Sequence, residues 1–187
     1  MDELVAIVES AAERSRAHGF AYSCEPPAGE LLAVLSAAVP RGGRILELGT
    51  GVGVGLAWIV RGLGGRDDVE VHSVDNDAAV AELAAAGNWP AGVRLHLGDA
   101  EQLLGELGQF DLIFADAPGG KWTGLDRTIA ALRPGGVLIV DDLDPARYTD
   151  PEHVAKVAEI KATLLGHPDL VAVELAVGSG FVLATKR

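Results

Sequence analysis

From residue 44 to the end of the chain, short strand-like runs alternate with helical segments, and no other feature constrains the fold as much. The runs are Arg44–Leu48, Val69–Asp75, Val93–Leu97, Phe110–Ala115 and Val137–Val140, and several of them are almost continuously apolar. A strand without a polar face must be covered on both sides. That condition is met by a parallel sheet lying between two layers of helices. The last two runs, Leu170–Leu175 and Gly180–Ala184, are joined only by Ala176-Val177-Gly178-Ser179. Four residues are too few for a crossover helix, so these runs are expected to form a hairpin that adds an antiparallel strand.

Two helices are expected ahead of the sheet. Leu4, Ile7, Val8 and Ala11 follow the i, i+3, i+4, i+7 pattern, which stops near His18-Gly19. Glu25-Pro26-Pro27-Ala28-Gly29 reads as a loop, and a second helix follows with Leu31, Leu32, Leu35 and Val39 on its buried side. Between the strands, helices are expected over Leu56–Leu63, from an Asp77 cap through Ala86, over Glu101–Leu107, over Leu125–Leu132, and from an Asp150 cap. Pro134-Gly135-Gly136 reads as the stop of the fourth of these. The expected fold class is α/β: a Rossmann-like, doubly wound, seven-stranded and mostly parallel sheet with a C-terminal antiparallel hairpin strand, plus N-terminal helices. The 187 residues suit one domain, with 1–40 as a helical lid or cap and 41–187 as the core.

The net charge of -12, with few and scattered bases, argues against nucleic acid as the main partner and against anionic membranes. Cys24 is the single cysteine, so no intrachain disulfide can form. The start Met1-Asp2-Glu3 has neither a basic nor an apolar leader region, and no apolar run is long enough to span a bilayer. A cytoplasmic protein acting on a small molecule is the default expectation.

In an open α/β sheet, ligands bind beyond the carboxyl ends of the strands. Here those ends carry Glu47, Asp75, Asp99, Asp116 and the pair Asp141-Asp142. Capping explains Asp77 and Asp150, but acids at five parallel strand ends point to one shared site. The first strand runs into Gly49-Thr50-Gly51-Val52-Gly53. Glycine there lets a ligand approach the backbone. The spacing is not the dinucleotide G-x-G-x-x-G, because Val54 and Leu56 stand where a third small residue is needed. Asp75, closing the second strand, can accept both hydroxyls of an adenosine ribose.

Glu47-x-Gly49-x-Gly51-x-Gly53 resembles motif I of class I S-adenosylmethionine-dependent methyltransferases, and Asp75 matches their ribose-binding acid. Leu97-Gly98-Asp99-Ala100 looks like their adenine-contacting segment, Phe110–Asp116 like motif IV, and Leu132–Gly136 like the turn that follows it. The resemblance therefore implies S-adenosyl-L-methionine as cofactor. Its implied contacts are Glu47, Gly49, Thr50, Gly51, Gly53, Asp75, Asn76, Asp99, Ala100 and Asp116.

Within that superfamily the chain is similar to small O-methyltransferases of the catechol and caffeoyl-CoA type. In those, an Asp after the fourth strand and an Asp-Asn pair after the fifth bind a divalent cation that holds the substrate oxygens. The matching residues are Asp116, Asp141 and Asp142, and Mg2+ or a similar hard ion suits such ligands. Two departures are present: the pair is Asp-Asp, and Lys121 stands five residues after Asp116 where the family has D-x-x-K. Catalysis with and without a cation are therefore both carried forward. Asp116 and Lys121 are the candidate catalytic residues, Lys121 either deprotonating a hydroxyl or simply pairing with Asp116.

Trp122 is either a wall for a flat substrate or an anchor for the next helix. Trp58 reads as core, and Trp89 is given no role. In the resembling family the segment holding Tyr22, Ser23 and Glu25 folds over the methyl donor; otherwise it is an ordinary loop. His18, His72, His96, His153 and His167 lack ligand spacing and read as structural or solvated. Cys24 reads as a small buried residue. The N-terminal segment also offers a face to a second copy, so a homodimer is one expected assembly. The rival readings are a tRNA-modifying methyltransferase, a non-catalytic S-adenosylmethionine-binding protein and an NAD-dependent oxidoreductase.

Overall fold

A computed structural model describes residues 2–187, with side chains from residue 5 onward; the burial expected of Leu4 lies outside the described residues. Strands β1 (Arg44–Leu48), β2 (Glu70–Asp75), β3 (Val93–Leu97), β4 (Phe110–Ala115), β5 (Leu132–Val140), β6 (Leu170–Leu175) and β7 (Phe181–Lys186) form one sheet in the order β3-β2-β1-β4-β5-β7-β6. β1 to β5 are parallel, and β7 runs antiparallel to both β5 and β6, as the short 176–179 link requires. The winding reverses between β1 and β4, which opens a crevice above their carboxyl ends.

Side-chain alternation sorts the core into two layers. Ile45, Leu112 and Ile139 face α2 (Pro26–Ala38) and α3 (Val54–Leu63). Leu46, Ile113 and Leu138 face α5 (Ala100–Leu104), α6 (Leu125–Ala130) and α7 (Pro151–Gly166). α1 (Asp2–Ala17) packs over α3, and α4 (Ala78–Ala85) follows β2. Asp77 caps α4 by accepting from Ala79 N and Val80 N, and Asp150 caps α7 by accepting from Glu152 N. No helix among the described residues is long and apolar enough to cross a membrane.

Three expectations need correction. Residues 26–29 are not loop: α2 starts at Pro26, because proline fits a first helical turn whose N–H groups have no partner in the helix. The helix expected to reach Leu132 ends at Ala130, and Leu132 already pairs with Phe110. Pro134-Gly135-Gly136 therefore lies inside β5, as the irregular stretch where the register shifts between Phe110 and Leu112. α5 stops at Leu104, short of Leu107.

The N-terminal helices are bound tightly to the core. A Cβ on Gly62 would lie 2.2 Å from the Ala33 carbonyl oxygen, and one on Gly29 would lie 2.2 Å from Trp58 Nε1. Only glycine permits α2 and α3 to approach so closely. Trp58, read as core, is packed in this contact.

Candidate active site

A cleft of about 800 Å3 lies over the carboxyl ends of the central strands. Glu47, Asp75, Asp99, Asp116, Asp141 and Asp142 all border it, as do Gly49, Thr50, Gly51, Asn76, Ala100 and Lys121. Gly53 does not: it caps α3 at φ 89, and a Cβ there would meet the Trp89 ring at 2.8 Å. Trp89, given no role from sequence, thus backs the turn and donates from Nε1 to Ala84 O at 2.8 Å. From the first 40 residues, the cleft is bordered only by loop 20–25 among the described residues, not by α1 or α2.

The glycine turn is held by the strands beside it. Gly49 N and Thr50 N donate to Val74 O at 2.8 and 3.1 Å. Gly51 N donates to Asp75 Oδ2 at 2.8 Å, and Asp77 N donates to Asp75 Oδ1 at 2.9 Å. Asp75 therefore pins the turn to β2 while bordering the cleft. Gly49 has φ 102, and a Cβ there would lie 2.5 Å from the Asp116 carbonyl oxygen. Asp99 spends one oxygen on capping α5, accepting from Gln102 N at 3.0 Å.

Glu47 is fully buried at the base of the turn. Ser73 Oγ donates to its Oε2, and Thr50 Oγ1 lies 2.6 Å from that serine hydroxyl. Its Oε1 has no partner among the described residues. Burial pushes the carboxyl up to about 8, against the pull of the Ser73 hydrogen bond. An acid raised in the folded state stabilises the protein fully below its ordinary value near 4.5, and that contribution is lost as pH rises through 8. Glu47→Gln is therefore expected to make the ligand-free protein more stable at pH 8.5, on the order of 3 kcal/mol, and to flatten its loss of stability between pH 5 and 8.5. Urea denaturation at the two pH values checks this; parallel slopes in variant and parent would refute it.

Lys121 has turned inward. Gly120 N donates to Thr123 O at 2.7 Å and Gly120 O accepts from Thr128 Oγ1 at 2.8 Å, which folds loop 117–123 down over Leu48. The Lys121 side chain is 2% exposed, with Nζ 2.9 Å from Asp142 Oδ2 and 3.6 Å from Asp116 Oδ1. Burial raises Asp116 well above the usual carboxylate range, opposed by the Lys121 charge. Burial likewise raises Asp141 to about 6, opposed by the Ser179 hydroxyl. Asp141 Oδ1 accepts from both Ser179 Oγ and Asp142 N. Asp142 itself sits at φ 62, an uncommon backbone for a residue with a side chain.

Part of the cleft was not legible in the sequence. His153, read as structural or solvated, borders it, with its ring 4.1 Å from that of Tyr148 and 4.9 Å from that of Trp122. Its Nε2 is buried without a partner among the described residues. Tyr148 Oη donates to Asp142 O at 3.1 Å, and burial pushes this phenol up to about 12. Trp122 both borders the cleft and packs against the core. Arg147 pairs with Glu25, tying loop 20–25 to the 3-10 turn Pro145–Arg147. Cys24 also borders the cleft, its thiol pushed well up by burial first and by nearby carboxylates second.

Comparison with known proteins bears on this cleft. A family model described as a methyltransferase domain matches residues 46–143. A Mycolicibacterium vanbaalenii protein named "Putative O-methyltransferase" is 31% identical over 97% of this chain and 84% of its own length. A Mycobacteroides abscessus protein of the same name is 30% identical over 96% of this chain and 88% of its own. Among solved structures, the O-methyltransferase TomG of Streptomyces achromogenes, involved in tomaymycin synthesis and solved with S-adenosylmethionine, superposes with a TM-score of 0.80. It is 27% identical, with 96% of this chain and 89% of that one covered. An O-methyltransferase of Bacillus cereus bound to S-adenosylhomocysteine shares the fold at 22% identity and a TM-score of 0.79, over 97% and 91% of the two chains.

Proposed function

The chain belongs to the family of S-adenosylmethionine-dependent O-methyltransferases, and we propose that its acceptor is the hydroxyl of a small, flat, aromatic molecule. The observation that carries the acceptor is the orphaned Nε2 of His153, a buried polar atom held between the rings of Trp122 and Tyr148 at the cleft. A buried nitrogen without a partner is costly unless a ligand completes it. Aromatic walls favour a planar guest.

The residues of the turn fit the cofactor. Gly49 and Gly51 bring bare backbone to the edge of the cleft, and the unpartnered Glu47 Oε1 is an acceptor for a cationic group. Asp75 would hold the ribose, Asp99 and Ala100 the adenine, and Thr50, Asn76 and Asp116 the remaining polar edges. When bound, S-adenosylmethionine supplies a methyl group already activated by its sulfonium. The protein's part is to align the acceptor oxygen, exclude water and match charge. Eight acidic residues along one cleft suit a positively charged cofactor.

A divalent cation is not supported by the donor set. Lys121 Nζ occupies the space between Asp116 and Asp142, and Asp141 spends one oxygen on Ser179 and Asp142 N. No group of three acid, histidine or cysteine side chains is arranged to hold a metal among the described residues. Asp116 and Asp142 are thus better read as partners of Lys121, and Asp141 as the partner of Ser179, than as Mg2+ ligands.

Isothermal titration with S-adenosylmethionine, followed by a methyl-transfer screen over phenols and catechols, tests the reading. Micromolar cofactor binding and an aryl methyl ether are expected; turnover only of aliphatic alcohols or of RNA would refute the acceptor class. His153→Ala is expected to raise the acceptor KM about tenfold, the loss of one buried hydrogen bond, with cofactor affinity unchanged. An unaltered KM would remove His153 from the acceptor subsite.

A further inference from the structure

We propose that the ammonium of Lys121 is a built-in cation that binds the acceptor oxygen and makes this enzyme independent of divalent metal. The proposal rests on the hydroxyl-methylation reading above.

A lysine side chain that is 2% exposed, with two carboxylates within 3.6 Å, is a charge-paired ammonium. It is a poor candidate for the base that removes a proton. It is also not saturated. An ammonium carries three N–H donors. One is used at 2.9 Å on Asp142 Oδ2, whereas Asp116 Oδ1 at 3.6 Å is an electrostatic neighbour beyond hydrogen-bond reach. No other acceptor binds Nζ among the described residues, so a buried cation at the cleft keeps donors to spare. Such donors call for an oxygen from outside the protein.

The surroundings fix where that oxygen goes. Lys121 Nζ lies 4.9 Å from the centre of the Trp122 ring, and Trp122 is the wall that touches His153. A phenolic acceptor placed among these rings has its oxygen within reach of the ammonium. The fold holds Lys121 there firmly: Gly120 at φ 86 tucks against Leu48 and hydrogen-bonds Thr128, so the loop cannot turn the side chain outward without unmaking both contacts.

In this arrangement the acceptor hydroxyl loses its proton to water, and Lys121 stabilises the phenolate that remains. The phenolate oxygen forms the new C–O bond while the S–CH3 bond breaks and its electron pair stays on sulfur. The products are the aryl methyl ether and S-adenosylhomocysteine.

The test uses the whole protein. Activity is expected to be unchanged by EDTA and by added Mg2+, and Mn2+ alone, used as an electron-paramagnetic probe, is expected to remain free. Lys121→Met, one atom shorter and uncharged, is expected to lower kcat about 100-fold, as loss of an oxyanion donor does, while calorimetry shows unchanged cofactor affinity. The loss should shrink as the acceptor phenol becomes more acidic, a dependence that a merely structural lysine would not produce. Lys121→Arg, which keeps a cation, should retain an intermediate rate and guards against a folding defect in the methionine variant. Stoichiometric Mn2+ binding by the parent, activity abolished by EDTA, or full kcat in Lys121→Met would each overturn the proposal. A phenol turned over only with metal present sinks this inference alone; no turnover of any phenol sinks the proposed function.

Discussion

Asp75→Ala is expected to raise the dissociation constant for S-adenosylmethionine at least about 100-fold. Two losses combine. The carboxylate is the proposed acceptor for the ribose hydroxyls, and a hydrogen bond to a charged group contributes about 1.5–3 kcal/mol. The same carboxylate accepts from Gly51 N and Asp77 N, so its removal also frees the turn from β2. A factor of 100 corresponds to about 2.7 kcal/mol, which the two losses readily reach. Asp75→Asn keeps one acceptor and the side-chain shape, and should cost about tenfold. Calorimetric titration of both variants measures this, and affinity within threefold of the parent in Asp75→Ala would remove the residue from the cofactor site.

The largest effect on stability is expected from Gly49→Ala. At φ 102 a Cβ is strained wherever it sits, and this one would press on the Asp116 carbonyl oxygen at 2.5 Å. That oxygen belongs to the backbone of the neighbouring strand end and cannot swing aside. A loss of about 3 kcal/mol or more is expected, together with weakened cofactor binding. Gly42→Ala is the control: it also has positive φ, at 66, but nothing lies within 4 Å of the added carbon. It should cost about 1 kcal/mol of backbone strain alone. Urea denaturation of the pair separates strain from collision, and equal losses would show that the contact with Asp116 is unimportant.

The parts of the fold and site that could be read from sequence are those whose cause is local. A strand apolar on both faces dictates its cover, and a four-residue link dictates a hairpin. An acid that ends a parallel strand is carried to the same rim as every other such acid, which is why Glu47, Asp75, Asp116 and Asp141 meet at one cleft. The misreadings have non-local causes. Pro134 looks like a helix stop, yet β5 absorbs it because β4 accepts a register shift there. His153 carries no motif; it stands in the first turn of α7, and only the fold brings the distant Trp122 against its ring. The direction of Lys121 depends on Gly120 finding Leu48 and Thr128, contacts that no spacing rule encodes.

The close crossing of α2 and α3 has a consequence for residues far from any ligand. Glu25, the last residue of the loop that borders the cleft, is followed directly by Pro26, the first residue of α2. The position of that loop is therefore tied to how deeply α2 sits on α3, and that depth depends on the missing side chains of Gly29 and Gly62. A methyl group added at position 62 would lift α2 as a lever and raise its attached end. Sequence change at the helix crossing and ligand fit at the cleft are thus one mechanical variable, and neither can drift without the other.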